Sequence, residues 1–280
     1  MRPLSVHEDR PVPTDVLAVL KEVDRAASEL SQPYMIIGAT ARDLLLHHVF
    51  NMAITRATLD VDFAFAVDNW GNFERLRDFL LATGVFVSDS SPHRLFYKGG
   101  TPVDLIPFGP VSENDAIAWP PDGDVIMSVA GFDDAFAAAV RIELTADFAV
   151  PVVSLAALAI MKAIAWSERK FSDKDAIDFY RILSTYADAG NVEQLYGSAT
   201  EFLTDFEYDL ELAGAALAGA DGKRLSSEAT LGKLTDLFFK AGFAEQMAER
   251  IRLSLWPFDP DQLARIDRLI SVYRQNLLQV

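Results

Sequence analysis

Arg56-Ala-Thr-Leu-Asp60-Val-Asp62-Phe-Ala-Phe-Ala-Val67 sets two acids at the head of an apolar run. It reads as a β-strand that opens on two carboxylates and runs on through apolar residues 63–67, as a strand buried on both faces does. Asp60 and Asp62 are two apart. Strand side chains alternate faces, so both carboxylates point the same way. Two like charges this close are costly to keep ionised beside a core. A divalent cation removes that cost, and Mg2+ favours a few carboxylates together with phosphate oxygens.

Upstream of this strand, Thr14 is placed to cap a helix over 15–30, with Val16, Leu17, Leu20, Val23, Ala26 and Leu30 on one face. Tyr34–Ile37 reads as a short buried strand, Gly38-Ala39-Thr40 as a turn, and 41–49 as a helix. A strand that ends in glycine before a helix presents backbone N–H groups to an anion, although a plain strand-to-helix turn looks the same. In that reading Gly38 lets the backbone approach phosphates and Thr40 adds a hydroxyl donor. Arg42, one turn further on, either meets a phosphate or pairs with an acid such as Asp43 or Asp62.

Downstream, residues 70–83 form an amphipathic helix with Phe73, Leu76, Phe79, Leu80 and Leu81 as its core stripe, stopped by Gly84. Strands follow at 85–88, 94–98 and 102–108, the last two joined by a tight hairpin at Gly99-Gly100-Thr101. The third contains Val103-Asp104-Leu105-Ile106, a lone acid in an apolar strand. Asp104 is either an edge-strand charge, a strand-start residue, or the third ligand that the Asp60/Asp62 pair needs. With it, the expectation is that the chain presents a nucleotide to a metal held on Asp60, Asp62 and Asp104.

Half of the chain is hydrophobic, so it is globular. No apolar run is long enough to cross a bilayer, and the N-terminus shows no secretory signal. There are no cysteines, which excludes thiolate catalysis and Cys-based zinc sites. The four histidines show no ligand spacing and are read as non-catalytic. A cytoplasmic enzyme with no membrane partner fits these features. The formal net charge of -16 argues against a broad, sequence-independent nucleic-acid footprint. After Ser154 the pattern is helical almost throughout, with helices expected at 155–167, 173–186, 192–206, 208–218, 227–241, 243–254 and 260–278. Strands first and helices later mean an α+β head, residues 1–152, and a helical domain, residues 153–280.

The order strand, glycine turn, helix, Asp-x-Asp, distant Asp resembles the nucleotidyltransferase superfamily built on a polymerase-β-like palm. Gly38-Ala39-Thr40-Ala41 and Arg56-Ala57-Thr58-Leu59-Asp60-Val61-Asp62-Phe63 are similar to the Gly-Gly-Thr-Ala and Arg-x-Ser/Thr-x-Asp-x-Asp segments of the AbiEii/AbiGii-type nucleotidyltransferases, many of them toxins of toxin–antitoxin systems. Met161-Lys162-Ala163 and Lys174-Asp175-Ala176-Ile177-Asp178-Phe179 stand where that family carries a lysine and a Lys/Arg-Asp-x-x-Asp segment. The resemblance implies transfer of an NMP from an NTP, with Mg2+ on Asp60, Asp62 and Asp104. It also implies nucleotide contacts from Gly38, Ala39, Thr40, Arg42, Lys162 and Asp175, with Lys162 in the cleft rather than snorkelling to the surface. Asp175 either orients Lys162, touches the nucleotide, or serves as a helix-start acid.

The implied partners are an NTP, a hydroxyl acceptor (an RNA or tRNA 3′ end, a protein or a small molecule) and a cognate antitoxin. Gly38-Ala-Thr-Ala-Arg42-Asp43-Leu-Leu-Leu46 is also similar to the turn of tRNA CCA-adding enzymes and bacterial poly(A) polymerases. Their Arg-Arg-Asp-Phe and Glu-Asp-x-x-Arg segments are absent here. The alternative to an enzyme is a catalytically inactive palm kept as a binding or regulatory module.

Overall fold

The structure is a computed structural model that describes residues 4–53, 60–169, 173–255 and 260–278. Arg56-Ala-Thr-Leu59, quoted above for the family resemblance, lies outside the described residues. The chain divides into two compact units, Met1–Ser154 and Leu155–Val280.

The first unit is a mixed eight-stranded sheet in the order β1 (Leu4–Ser5), β9 (Val140–Thr145), β10 (Phe148–Val152), β2 (Tyr34–Ile37), β3 (Val61–Ala66), β6 (Thr101–Phe108), β5 (Arg94–Tyr97) and β4 (Phe86–Ser88). β2 runs antiparallel to β3, β3 parallel to β6, and β6 antiparallel to β5. β6 is therefore an interior strand. Asp104 is not an edge charge, because a strand is bonded on each side of it.

Alternation divides β3 between two faces. Phe63 and Phe65 are fully buried beside Tyr34, with ring centroids 5.9 and 5.8 Å away. The Tyr34 hydroxyl donates to Asp24 on α1 (Thr14–Glu29) at 2.8 Å, so this is the face that α1 covers. α3 (Trp70–Ala82) packs beside α1, with the Arg25 guanidinium 5.9 Å from the Phe79 ring centroid. Phe73, Leu76 and Leu80 of α3 are buried, whereas Phe79 and Leu81 flank the stripe half-buried. The opposite face carries Asp62, Ala64 and Ala66 from β3 and Asp104, Ile106 and Phe108 from β6. Its far end is closed by α4 (Phe132–Ala137), whose Phe132 and Phe136 rings lie 5.9 and 5.6 Å from Phe108.

Local details depart from the sequence expectations. Thr14 does not cap α1. It is the first helical residue, and Pro13 occupies the cap position without a side-chain bond. Gly38-Ala39-Thr40 is not a turn before a helix. Helix α2 (Gly38–Asp43) opens on Gly38 itself, at φ 68°, because Ile37 stays extended up to the bend. It continues as a π-helix over Leu44–Val49, in which Phe50 N–H reaches back to the Leu45 carbonyl at 2.9 Å. Between β6 and α4 lies a small two-stranded ribbon, β7 (Ala116–Ala118) and β8 (Ile126–Ser128).

Among the described residues the regular elements of the second unit are helices: α5 (Leu155–Glu168), α6 (Asp173–Thr185), α7 (Val192–Leu195), α8 (Thr200–Asp205), α9 (Leu210–Leu225), α10 (Glu228–Phe238), α11 (Phe243–Ser254) and α12 (Pro260–Leu278). The helix expected at 192–206 is two short pieces, because Gly197-Ser198 disfavours continuation and the chain turns there. α9 runs seven residues further than expected, to Leu225, and its Asp209 caps the Leu212 N–H at 3.0 Å. Gly219 of α9 lies against the α12 backbone, where a Cβ would overlap the Tyr273 carbonyl oxygen. Among the described residues no helix is long and apolar enough to cross a membrane.

Candidate active site

The site is one transverse row of the sheet. Register pairs Ile37 with Asp62, Asp62 with Asp104, and Asp104 with Arg94. Register partners share a face, so the two acids and the arginine project together. Asp60, just ahead of β3, joins them. One carboxylate oxygen from each of Asp60, Asp62 and Asp104 lies within 4.8 Å of the others. Among the described residues this is the one such cluster of three or more acids or histidines.

The surroundings hold these acids in place. Thr40 Oγ1 donates to the Asp60 carbonyl at 2.8 Å, so its hydroxyl positions the strand entry. Gly38 sits against Asp62, and a Cβ there would lie 2.8 Å from the Asp62 Cγ. Glycine is thus required twice, by its positive φ and by this approach. Arg42 is buried, and its Nε and a terminal nitrogen bond Asp43 Oδ1 at 2.9 and 2.6 Å. The ion pair with Asp43, one of its sequence readings, is present. Ala39 is buried at the first turn of α2.

Arg94 completes the row. Its Nε and a terminal nitrogen each lie 2.7 Å from one oxygen of Asp104, a bidentate fork. That hydrogen bond, with the charges of Asp104, Asp60 and Asp62, outweighs desolvation and pushes the guanidinium above its ordinary range. Sequence reading missed this residue. The signal was there, since a hairpin closed at Lys98-Gly99-Gly100 with Tyr97 opposite Thr101 forces Arg94 opposite Asp104.

The donor set fits a hard divalent cation, being three converging carboxylates with no sulfur and no imidazole. His47 and His48 are occupied elsewhere. Their rings touch at 4.8 Å, and their Nδ1 atoms bond the Met52 and Arg10 carbonyls at 2.6 and 2.7 Å.

Lys162, in the helical unit, belongs to a second charged cluster. Its residue is only 8% exposed, so the snorkelling alternative does not hold. Its Nζ lies 3.1 Å from Asp175 and 2.7 Å from Asp178 of α6, and Arg169 reaches the other Asp175 oxygen at 3.0 Å. Burial alone would lower the ammonium pKa; the Asp178 and Asp175 charges and hydrogen bonds overcome it, and the net direction is up. Of the roles considered for Asp175, two are visible: it bonds Lys162, and it stands as an acid in the first turn of α6. Asp178, one helical turn on, shares that task, and its i, i+3 spacing was the sequence signal for it.

A mixed sheet with register-aligned acids beside a helix-opening glycine, followed by a helical region, defines a nucleotidyltransferase. The family model described as "Nucleotidyl transferase AbiEii toxin, Type IV TA system" matches residues 23–251, and the chain belongs to that family. Comparison with curated proteins gives no match. Among solved structures the chain is similar to the antibiotic-resistance factor ANT(2'')-Ia, at 18% identity and TM-score 0.41, covering 70% of this chain and 97% of that one. It is similar to an antigenic nucleotidyltransferase-like protein from Paracoccidioides brasiliensis, at 19% identity and TM-score 0.40, covering 70% and 93%. It is also similar to a CCA-adding enzyme with CTP, at 16% identity and TM-score 0.33, covering 95% and 69%.

Proposed function

We propose that the protein transfers a nucleoside monophosphate from an NTP to a hydroxyl acceptor, with Asp60, Asp62 and Asp104 holding Mg2+. The observation that carries this is the convergence of three carboxylates within 4.8 Å on one row of the sheet, an arrangement that costs repulsion unless a cation answers it. When bound, the metal supplies countercharge to the triphosphate and lowers the pKa of the acceptor hydroxyl. Asp60 and Asp62 bind on the nucleotide side, and Asp104 on the acceptor side. Gly38 and Ala39 bring backbone close to the phosphates. The acceptor oxygen attacks the α-phosphorus, the bond to the β-phosphate oxygen breaks, pyrophosphate leaves, and the hydroxyl proton is lost. In the helical unit, Lys162 and Asp175 match the family's lysine and Asp-x-x-Asp segments and are its nucleotide-contacting candidates.

The family description supports a toxin role and a cognate antitoxin. The acceptor is an RNA or tRNA 3′ hydroxyl, a protein or a small molecule, and the net charge of -16 favours a locally recognised acceptor over one gripped along its backbone. A second reading, an inactive palm used as a binding module, draws on the Arg94 fork at Asp104, which neutralises one acid without metal. Asp60 and Asp62 nevertheless converge with Asp104 on one point, which favours the enzyme. Incubation with each labelled NTP, Mg2+ and total RNA or protein, beside Asp62→Asn, is the test. Metal-dependent label transfer lost in the variant is expected; no transfer to any acceptor would favour the module.

A further inference from the structure

In the helical unit, α8, α9 and α12 line a cavity of about 760 Å3. Small-ligand sites typically measure roughly 300–1,000 Å3. Two helices build its walls by the same spacing. α8 and the residue after it supply Phe202, Asp205 and Phe206, and α9 supplies Ala220, Lys223 and Arg224, each set at i, i+3 and i+4 on one helical face. Phe202 and Phe206 are half-buried, and among the described residues neither ring pairs with another aromatic ring.

The polar groups have bonding capacity to spare. The Lys223 ammonium has no ion-pair or hydrogen-bond partner among the described residues. Arg224 is set by a relay from the core. The buried Tyr186 hydroxyl donates to one oxygen of Asp221 at 2.6 Å, and the other oxygen accepts from a terminal nitrogen of Arg224. Further guanidinium N–H groups remain for a ligand. On α12 the Asn276 amide nitrogen donates to the Val272 carbonyl at 2.9 Å, which leaves its Oδ1 as an acceptor. Gln275 adds an amide donor and an acceptor.

Each kind of group answers one part of a nucleotide. Phenyl rings take the face of a base. Amides pair with its edge. Lysine and arginine hold a phosphate. Asp205 repels a bare anion but accepts hydrogen bonds from ribose hydroxyls, as an acid does in dinucleotide sites. A plain anion site has no use for two phenyl rings and a carboxylate, and an apolar site has no use for two cations.

We propose that this cavity binds a ribonucleoside monophosphate unit, free or within a single-stranded RNA, with Phe202 and Phe206 against the base, Asp205 on the ribose and Lys223 and Arg224 on the phosphate. None of these residues belongs to the metal row or to the NTP contacts proposed above, so the cavity's ligand is independent of that reading.

Calorimetric titration of full-length protein in EDTA, with AMP, GMP, CMP, UMP and a 5′-phosphorylated tetraribonucleotide, reads binding without a metal. At least one monophosphate is expected to bind, and to bind Asp62→Asn equally well. Lys223→Glu and Phe206→Ala are each expected to weaken it at least tenfold, and Asp205→Asn to remove a preference for the ribose over the 2′-deoxyribose form. A tetranucleotide that binds at least tenfold tighter than the monophosphate assigns the site to an RNA strand; a smaller gain assigns it to a free nucleotide. Acetylation of Lys223 in wild type, read by mass spectrometry, is expected to slow when the ligand is present, and it needs no variant that folds. No binding of any of these probes to wild type, affinities unchanged in Lys223→Glu and Phe206→Ala, or an unchanged acetylation rate at Lys223 would overturn the proposal.

Discussion

Asp62 and Asp104 face each other residue against residue on two parallel strands, although a helix and two further strands separate them in the chain. Their side chains stand on the face that α1 leaves free, where Ala64 and Ala66 continue β3 with small groups. Register, not sequence proximity, makes the acidic cluster, and the same register sets Arg94 on one of its acids.

Replacing Asp62 with Asn keeps the shape of the side chain and removes one of the repelling charges. Mg2+ at about 100 times its dissociation constant is expected to stabilise wild type by about 2.7 kcal/mol. Asp62→Asn should show little of this shift. Thermal melts with and without Mg2+ read the effect. An undiminished Mg2+ shift in the variant would place the cation elsewhere.

Gly38→Ala puts a Cβ into a backbone at φ 68° and into contact with the Asp62 carboxylate. The left-handed conformation costs about 1–2 kcal/mol for a residue with a side chain. Displacement of Asp62 adds a loss of nucleotide transfer out of proportion to that cost. Denaturant melts beside transfer rates separate the two, and a variant with full activity would show that the close approach is incidental.

Lys162→Met removes the cation between two buried carboxylates and is expected to cost about 3–5 kcal/mol, as breaking a buried pair does. Adding Asp178→Asn should recover part of it. The folded-state pKa of Lys162 stands above the ordinary 10.5. Its contribution is therefore complete below that value and is lost as pH rises through the higher folded one. Urea melts at pH 9 and pH 11 should show wild type losing more stability between them than Lys162→Met; equal losses would refute the pairing.

Gly219→Ala inserts a methyl group where α9 meets the Tyr273 carbonyl of α12. Although alanine is the better helix former, the overpacking is expected to destabilise by about 1–3 kcal/mol. A neutral or stabilising change in a chemical melt would mean the two helices separate at little cost.

Much of the architecture was legible from local pattern. The apolar run at 63–67, the 3.6-residue stripes of α1 and α3, and the glycine after Ile37 each carry their signal within a few residues. Where reading failed, a neighbour's chemistry or a non-local contact intervened. Pro13, not Thr14, holds the cap of α1, and Gly197-Ser198 split a helix that the apolar spacing alone would have continued. Arg94 was passed over because a half-apolar strand with one arginine looks like surface. Only its hairpin register shows that it lies against Asp104.

By itself the sequence determined that Asp60 and Asp62 share a direction, that a glycine bend lies upstream, and that strands give way to helices, because side-chain alternation and helical period are properties of adjacent residues. The three-dimensional packing selects which third acid joins them, which cation pairs with it, and that Lys162 bonds two aspartates. Strand order and helix docking bring together groups far apart in the chain, and the packing of the whole core selects them.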